Sequence, residues 1–311
     1  MKLHDLPLED KPYLLDEHGP IFILGCPRSG TTFLSNCISF IPGTEEFIGA
    51  IAPPRLAHFL GSPESEGVRE TVLDSVRDIF WQSFLRRVTF RYHRIGQLYR
   101  RRISLSDFLK PASFNGKLFC YKEPFLCFSA AHFATTFPNA KFIHIIRDGR
   151  DNADSLDRTY TQALSDEVLT SDQLSFNKNS EIGTWRTKDG FNYPWWVKEA
   201  EEAQFRHGSK YGRYIMMWRE MVTRARHLKT MLPEDRYLEI HYEQFVQSPI
   251  EHGQRIRTFL GAEDSAAFRR KLNKAFSSSV NISKRNQEDT KRVESEKIAG
   301  DLLRELGYIE D

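Results

Sequence analysis

Residues 20–26, PIFILGC, form a short unbroken apolar run that ends near a glycine, the pattern of a buried strand. Residues 30–41, GTTFLSNCISFI, follow with helical spacing and stop at Pro42-Gly43. The chain therefore passes from strand through a glycine turn into a helix. An amphipathic helix is expected over 70–85, a second strand over 117–124 closed by Pro124, and a helix over 128–137. Residues 140–151, AKFIHIIRDGRD, predict a third strand running into a polar turn. Residues 196–232 have helical character with a break near Gly208–Gly212. A fourth strand begins in 236–245 and leads to a helix ending near Gly261.

Strands alternating with helices predict an α/β fold: a P-loop-type parallel sheet with helices on both faces. The whole of 1–311 reads as one domain. The stretch 160–195 is polar and without sustained period, so it reads as an insertion or lid. From about 277 a polar segment, expected to be partly mobile, precedes the apolar IAGDLLRELGYI, which should dock as a helix.

Composition narrows the class without naming it. Net charge is +2, so no global excess argues for a nucleic-acid partner. Cys26, Cys37, Cys120 and Cys127 sit in apolar runs without zinc spacing, as buried free thiols of a reducing compartment would. Residues 1–19 hold no apolar core long enough for a signal peptide, and no run elsewhere is long enough to span a bilayer. A cytoplasmic, soluble protein is expected.

The chemistry begins in LGCPRSGTTF, residues 24–33. Gly25 and Gly30 have the spacing of a Walker loop, but Thr31 stands where that loop has lysine and Thr32 where it has Ser/Thr. The backbone logic survives, because a glycine turn opening a helix points several N–H groups at an anion. Ser29, Thr31 and Thr32 add hydroxyls, and Arg28 adds a planar cation. A loop with less charge than a nucleoside triphosphatase's suits a less charged terminal group, and a sulfuryl group fits. A glycine turn without a ligand is the plain alternative.

With these motifs the sequence resembles the sulfotransferases that use 3′-phosphoadenosine 5′-phosphosulfate (PAPS), nearest in motif to the tyrosylprotein sulfotransferases. Pro27-Arg28-Ser29-Gly30-Thr31-Thr32 is similar to their 5′-phosphosulfate loop. FIHIIRDGRDNADS, 142–155, resembles their 3′-phosphate motif, with Arg147 and Ser155 at the gripping positions. YKEPF, 121–125, gives Lys122 the place of the lysine that approaches the sulfonate. HYEQF, 241–245, brings in Tyr242, and SVNISKR, 279–285, resembles a loop closing over the nucleotide through Ser283 and Lys284. The resemblance adds Phe33 to the candidate nucleotide contacts and implies metal-free, in-line transfer to a hydroxyl. The acceptor stays open between tyrosine in an acidic peptide and a sugar, lipid or small alcohol.

The sequence departs from the pattern in three ways. The tyrosylprotein enzymes are membrane-anchored, and no anchor segment is visible here. The stretch 160–195 has no evident counterpart. Their catalytic glutamate precedes a Pro-Arg pair; Pro54-Arg55 is present, but an ungapped reading puts Gly49 at the glutamate position. Glu46, and next to it Glu45, is the candidate base, with Lys122 and Arg28 stabilising the transferring group. Glu123 reads as structural, His144 as a core histidine, and His58 as a rival base. Residues 86–102 contain Arg86, Arg87, Arg91, Arg94, Arg100, Arg101 and Arg102, with no acid between Asp78 and Asp107. They form either a solvated helix face or a docking surface for an acidic acceptor. Trp185, Trp195 and Trp196 either line an acceptor cleft or pack the insertion against the body. A PAPS-dependent sulfotransferase leads the functional readings. A non-catalytic PAPS- or anion-binding protein and a nucleotide kinase are the alternatives.

Overall fold

The computed structural model describes residues 19–47, 59–61, 63–109, 117–171, 185–275 and 289–310. Five strands, β1 (Ile21–Leu24), β2 (Thr44–Phe47), β3 (Leu118–Lys122), β4 (Lys141–Ile146) and β7 (Tyr237–His241), form a parallel sheet in the order β2-β3-β1-β4-β7. β1 is central because both of its faces are apolar. Phe22 and Leu24 enter one core and Ile21 and Ile23 the other, following the strand's period of two. The α/β expectation therefore holds, with helices on both faces.

On the Phe22 face lie α2 (Arg69–Thr89), α4 (Ala130–Thr136), α5 (Gly149–Thr159), α6 (Lys210–Arg226) and α10 (Asp289–Glu305). Phe22 anchors an aromatic cluster with Phe80, Phe133, Phe137 and Phe142, ring centroids 5.3–5.7 Å apart. On the other face lie α1 (Thr31–Ile38), α7 (Tyr242–Gln247), α8 (Pro249–Leu260) and α9 (Ala266–Leu272). Outside the edge strand β2, α3 (Arg91–Tyr99) follows directly on α2. Gly261 ends α8 in the left-handed conformation, φ 63°. The expected helical break falls at Gly208, between a short helix, Glu202–His207, and α6.

Two elements were not anticipated from the sequence. Thr44–Phe47 is a strand although TEEF carries two carboxylates. The stretch read as an insertion holds an antiparallel hairpin, β5 (Trp185–Lys188) with β6 (Phe191–Pro194). Phe191 and Tyr193 pack on Phe205, and Asn192 donates to the carbonyls of Leu169 and Ser171 at 3.0 Å, so this hairpin is fastened to the body. Trp196 is buried, stacked at 19° on Phe128, which fits the packing alternative for the tryptophans.

Candidate active site

The loop after β1 is built by backbone geometry. Gly25 and Gly30 have φ of 149° and 92°, and Arg28 adopts φ 73°. A Cβ on Gly25 would stand 2.5 Å from the Ile145 carbonyl oxygen, so the loop can run this close to β4 only with glycine there. The Gly25 N–H donates to the Cys127 sulfur at 3.2 Å. Burial pushes that thiol up to about 12, and all four cysteines are free and buried. α1 then starts with Gly30 as N-cap, no side chain capping it and no acid in its first turn. Its leading N–H groups are thus left for an anion. α5 contrasts with it: Asp148 caps that helix by accepting from the Arg150 N–H.

The structure brings the loop after β1 and the RDGRDNADS turn into contact. Arg28 Nε donates to Ser155 Oγ at 3.2 Å, and Arg147 Nη1 donates to the Arg28 carbonyl at 3.0 Å. The Arg147 guanidinium lies 5.2 Å from the Tyr242 ring centroid, and that ring also closes on Gly30. Arg147 and Ser155 are buried, Thr31 is buried, and Arg28 and Thr32 are exposed. Ser29 accepts from Asn152, and Phe33 packs on Phe245 with centroids 5.6 Å apart. Lys122 ends β3, paired in register with Ile23 of β1, and so lies at the same carboxyl edge of the sheet as the loop. Ser283, Lys284, His58, Gly49, Pro54 and Arg55 lie outside the described residues.

Glu45 and Glu46 are not brought to the loop. In register, Glu46 lies level with Cys120, which pairs with Ile21 at the start of β1, not with its carboxyl end. The Glu46 carboxylate accepts from Ser35, one turn along α1 from its N-terminal end, and from Arg102 at 3.3 Å. Arg87 donates to the Glu46 carbonyl. Glu45 is bonded to His93 at 3.0 Å, Gln97 at 2.8 Å and Lys117 at 3.1 Å. Burial raises the Glu45 pKa, but the His93 bond and the Lys117 ammonium outweigh it and hold the carboxyl below its ordinary value. Glu46 and Glu45, the candidate bases, both belong to β2 and are engaged there by Ser35 of α1, by His93 and Gln97 of α3, and by Arg102 and Lys117.

Other candidates have structural duties as well. His144 is fully buried, bonded to the Tyr237 hydroxyl at 2.8 Å, and pushed down to about 3 by that burial. The Glu123 side chain accepts from the Phe125 N–H at the start of a 3-10 turn. The seven arginines do not form one face: Arg87 and Arg102 serve Glu46, Arg94 donates to the Asp107 carbonyl, and Arg86, Arg91, Arg100 and Arg101 are exposed.

Several positioning residues were not legible in the sequence. Asn152 Nδ2 donates to the Pro27 carbonyl at 3.1 Å and Ser29 Oγ at 2.9 Å, tying α5 to the loop. It stands inside the RDGRDNADS motif, which is the signal that would have found it. Trp218 Nε1 donates to the Arg147 carbonyl at 3.0 Å. The Glu243 carboxylate accepts from the Asp148 N–H at 2.9 Å and from the Tyr308 hydroxyl at 3.1 Å, while Arg150 donates to the Tyr308 carbonyl at 2.8 Å. Burial raises the Glu243 pKa. Beside the loop lies a cavity of about 310 Å³ bounded by Pro27, Phe125, Leu156, Tyr160, Tyr214 and Met217. No Asp, Glu, Lys or Arg among the described residues lines it.

A parallel sheet with an uncapped helix at its central strand and two arginine–hydroxyl motifs meeting at the carboxyl edge is an arrangement of donors that suits an anion. A model of the Sulfotransferase family matches residues 20–188, more than half of the chain, and the chain belongs to that family. It is 28% identical to protein-tyrosine sulfotransferase 1 of Danio rerio over 152 residues, 47% of this chain and 37% of that protein. It is 30% identical to protein-tyrosine sulfotransferase 1 of Mus musculus over 142 residues, 44% of this chain and 33% of that one. These matches span about a third of the length of those curated relatives. The sulfotransferase domain from the curacin biosynthetic pathway superposes with a TM-score of 0.51, covering 91% of this chain and 97% of that domain. At 15% identity that likeness is one of fold.

Proposed function

We propose that the chain is an enzyme moving the sulfuryl group of PAPS to a hydroxyl acceptor. The observation that carries this reading is the contact between the loop and the RDGRDNADS turn, made by Arg28, Arg147 and Ser155 beside the uncapped start of α1. Two clusters of donors at that spacing suit a nucleotide phosphorylated at both its 3′ and 5′ ends. Arg147, Ser155 and Tyr242 would take the 3′-phosphate side. Ser29, Gly30, Thr31, Thr32 and Arg28 would take the 5′-phosphosulfate, with Phe33 packed behind them. Lys122 would meet the sulfonate from β3, and Ser283 and Lys284 would complete the nucleotide site.

The acceptor oxygen attacks sulfur in line and forms the new O–S bond. The S–O bond to the 5′-phosphate breaks, and 3′-phosphoadenosine 5′-phosphate (PAP) leaves with that bond's electron pair. The hydroxyl proton passes to a base. Lys122 and Arg28 stabilise the charge that develops on the transferring group and the departing phosphate. In this reading Glu45 and Glu46 are held by their fold partners, and the hydroxyl proton passes to His58, the other candidate base. The cavity between Pro27 and Phe125 receives the acceptor hydroxyl. Its uncharged lining suits a phenol or alcohol, which includes the tyrosine named for the relatives.

The same engaged carboxylates favour a second reading, a PAPS-binding chain without transfer. Titration calorimetry with PAP in the absence of magnesium tests the site: tight binding is expected, and preference for Mg-ATP would overturn the assignment. Transfer of label from PAPS to a panel of phenols and alcohols then separates enzyme from binder.

A further inference from the structure

α3 is amphipathic in the inverted sense. Its inward side chains are polar: His93 and Gln97, one turn apart, bond the buried Glu45. Its outward stripe is apolar: Tyr92, Ile95 and Tyr99, at i, i+3 and i+7, are 82%, 46% and 88% exposed. Phe90 precedes the stripe, and Leu105 and Leu109 of the next helical turn follow it, all exposed. Arg94 fastens that turn to α3 through the Asp107 carbonyl and the Phe108 ring. Arg91 stands at one end of the stripe and Arg100 and Arg101 at the other, all exposed. Within 79–109 the sole acid is Asp107, whose carboxylate accepts from the Ser104 hydroxyl at 2.6 Å.

Exposed apolar side chains in a contiguous stripe mark a surface made to meet something. We propose that this face of α3 binds the surface of an anionic lipid bilayer. Charge and hydrophobicity together select that occupant. Arginine at the margins meets anionic headgroups, while tyrosine, isoleucine and leucine enter the boundary between headgroups and acyl chains. Tyrosine suits that boundary, with an apolar ring and a hydroxyl that stays wet. A second copy of the chain is disfavoured, because a two-fold contact would set the same arginines against each other. An acidic protein would satisfy the arginines and leave the apolar stripe without an apolar partner. The contact is with a bilayer surface; among the described residues no helix is long and apolar enough to cross one.

The test is co-sedimentation of the full chain with vesicles of phosphatidylcholine alone or mixed with phosphatidylserine. Binding to the mixed vesicles, weakened by salt and absent from phosphatidylcholine alone, is the expected result. Each arginine near an anionic leaflet is worth about fivefold in partitioning, so R91Q/R100Q/R101Q should lower binding about a hundredfold. Y92S/Y99S should weaken it with the charge intact. All five side chains are exposed, so unchanged thermal melting verifies that the variants fold. Failure to bind mixed vesicles at low salt overturns the proposal. So does binding to polyglutamate without binding to vesicles, which would indicate an acidic protein partner. Self-association abolished by Y92S/Y99S, with no vesicle binding, would assign the face to a second copy.

Discussion

Replacing Glu46 with glutamine keeps the side chain's shape and its neutral hydrogen bond to Ser35 but removes the charge opposite Arg102. The Glu46 side chain is 2% exposed and that of Arg102 13%, so the pair is shielded from water. Arg102 also stacks on Phe40, 5.2 Å from its centroid, and is not free to leave. Breaking a buried pair from one side costs about 3–5 kcal/mol, and the partial exposure of Arg102 argues for the lower end, about 3 kcal/mol. Unfolding entropy is about 2.1 cal/mol/K per residue, or about 0.65 kcal/mol/K for 311 residues. Glu46→Gln should therefore lower Tm by about 4–5 °C by calorimetry. Sulfuryl transfer per folded molecule should stay within about tenfold of the parent, against the roughly 100- to 10,000-fold loss expected when a general base is removed. An unchanged Tm with turnover lost on that larger scale would refute the structural role and return Glu46 to the catalytic one.

Asn152→Ala removes two bonds to the loop and leaves buried acceptors unpaired; PAP affinity measured by calorimetry should fall about tenfold, and Tm should drop by about 2–5 °C. Gly25→Ala puts a methyl group 2.5 Å from the Ile145 carbonyl oxygen and should destabilise the fold by about 3 kcal/mol, read as a lower urea midpoint at unchanged slope; an unchanged midpoint would contradict the close approach to β4. Glu45 has a folded pKa below its unfolded one, so its contribution is fully present above the unfolded value of about 4.3 and is lost as pH falls through the lower, folded value. Urea midpoints followed downward from pH 6 should show an acid limb below about pH 4 that Glu45→Gln flattens, with the largest difference between the two proteins above that limb.

Local patterns carried much of the fold into view. PIFILGC is apolar on both strand faces and ends near a glycine, so β1, the loop and α1 were legible together. Gly261 and Gly208 mark helix ends for equally local reasons. TEEF was not legible as a strand, because two carboxylates are buried there only with help from His93, Gln97, Lys117 and Arg102, residues 48 to 72 positions away from Glu45 and 56 away from Glu46. The same long-range pairing divided the arginine-rich stretch, whose members look alike in sequence but meet different neighbours. Motif spacing singled out Arg28, Arg147 and Ser155, which the fold brings into contact. It was blind to Trp218, Glu243 and Tyr308, which hold the Arg147 turn from other elements.

The hold of Tyr308 on that turn has a consequence for synthesis. Ribosomal emergence delivers the PRSGTT loop early, yet β1 has no sheet neighbour until β3 and β4, about a hundred residues later. The Asp148 N–H, the Glu243 carboxylate and the Tyr308 hydroxyl join only when residues 158 positions beyond Arg150 have appeared. A nascent chain stopped before that point would carry both anion motifs with the turn between them unbraced. The braced form of the Arg147 turn should thus wait for the arrival of Tyr308, well after the turn itself has left the ribosome.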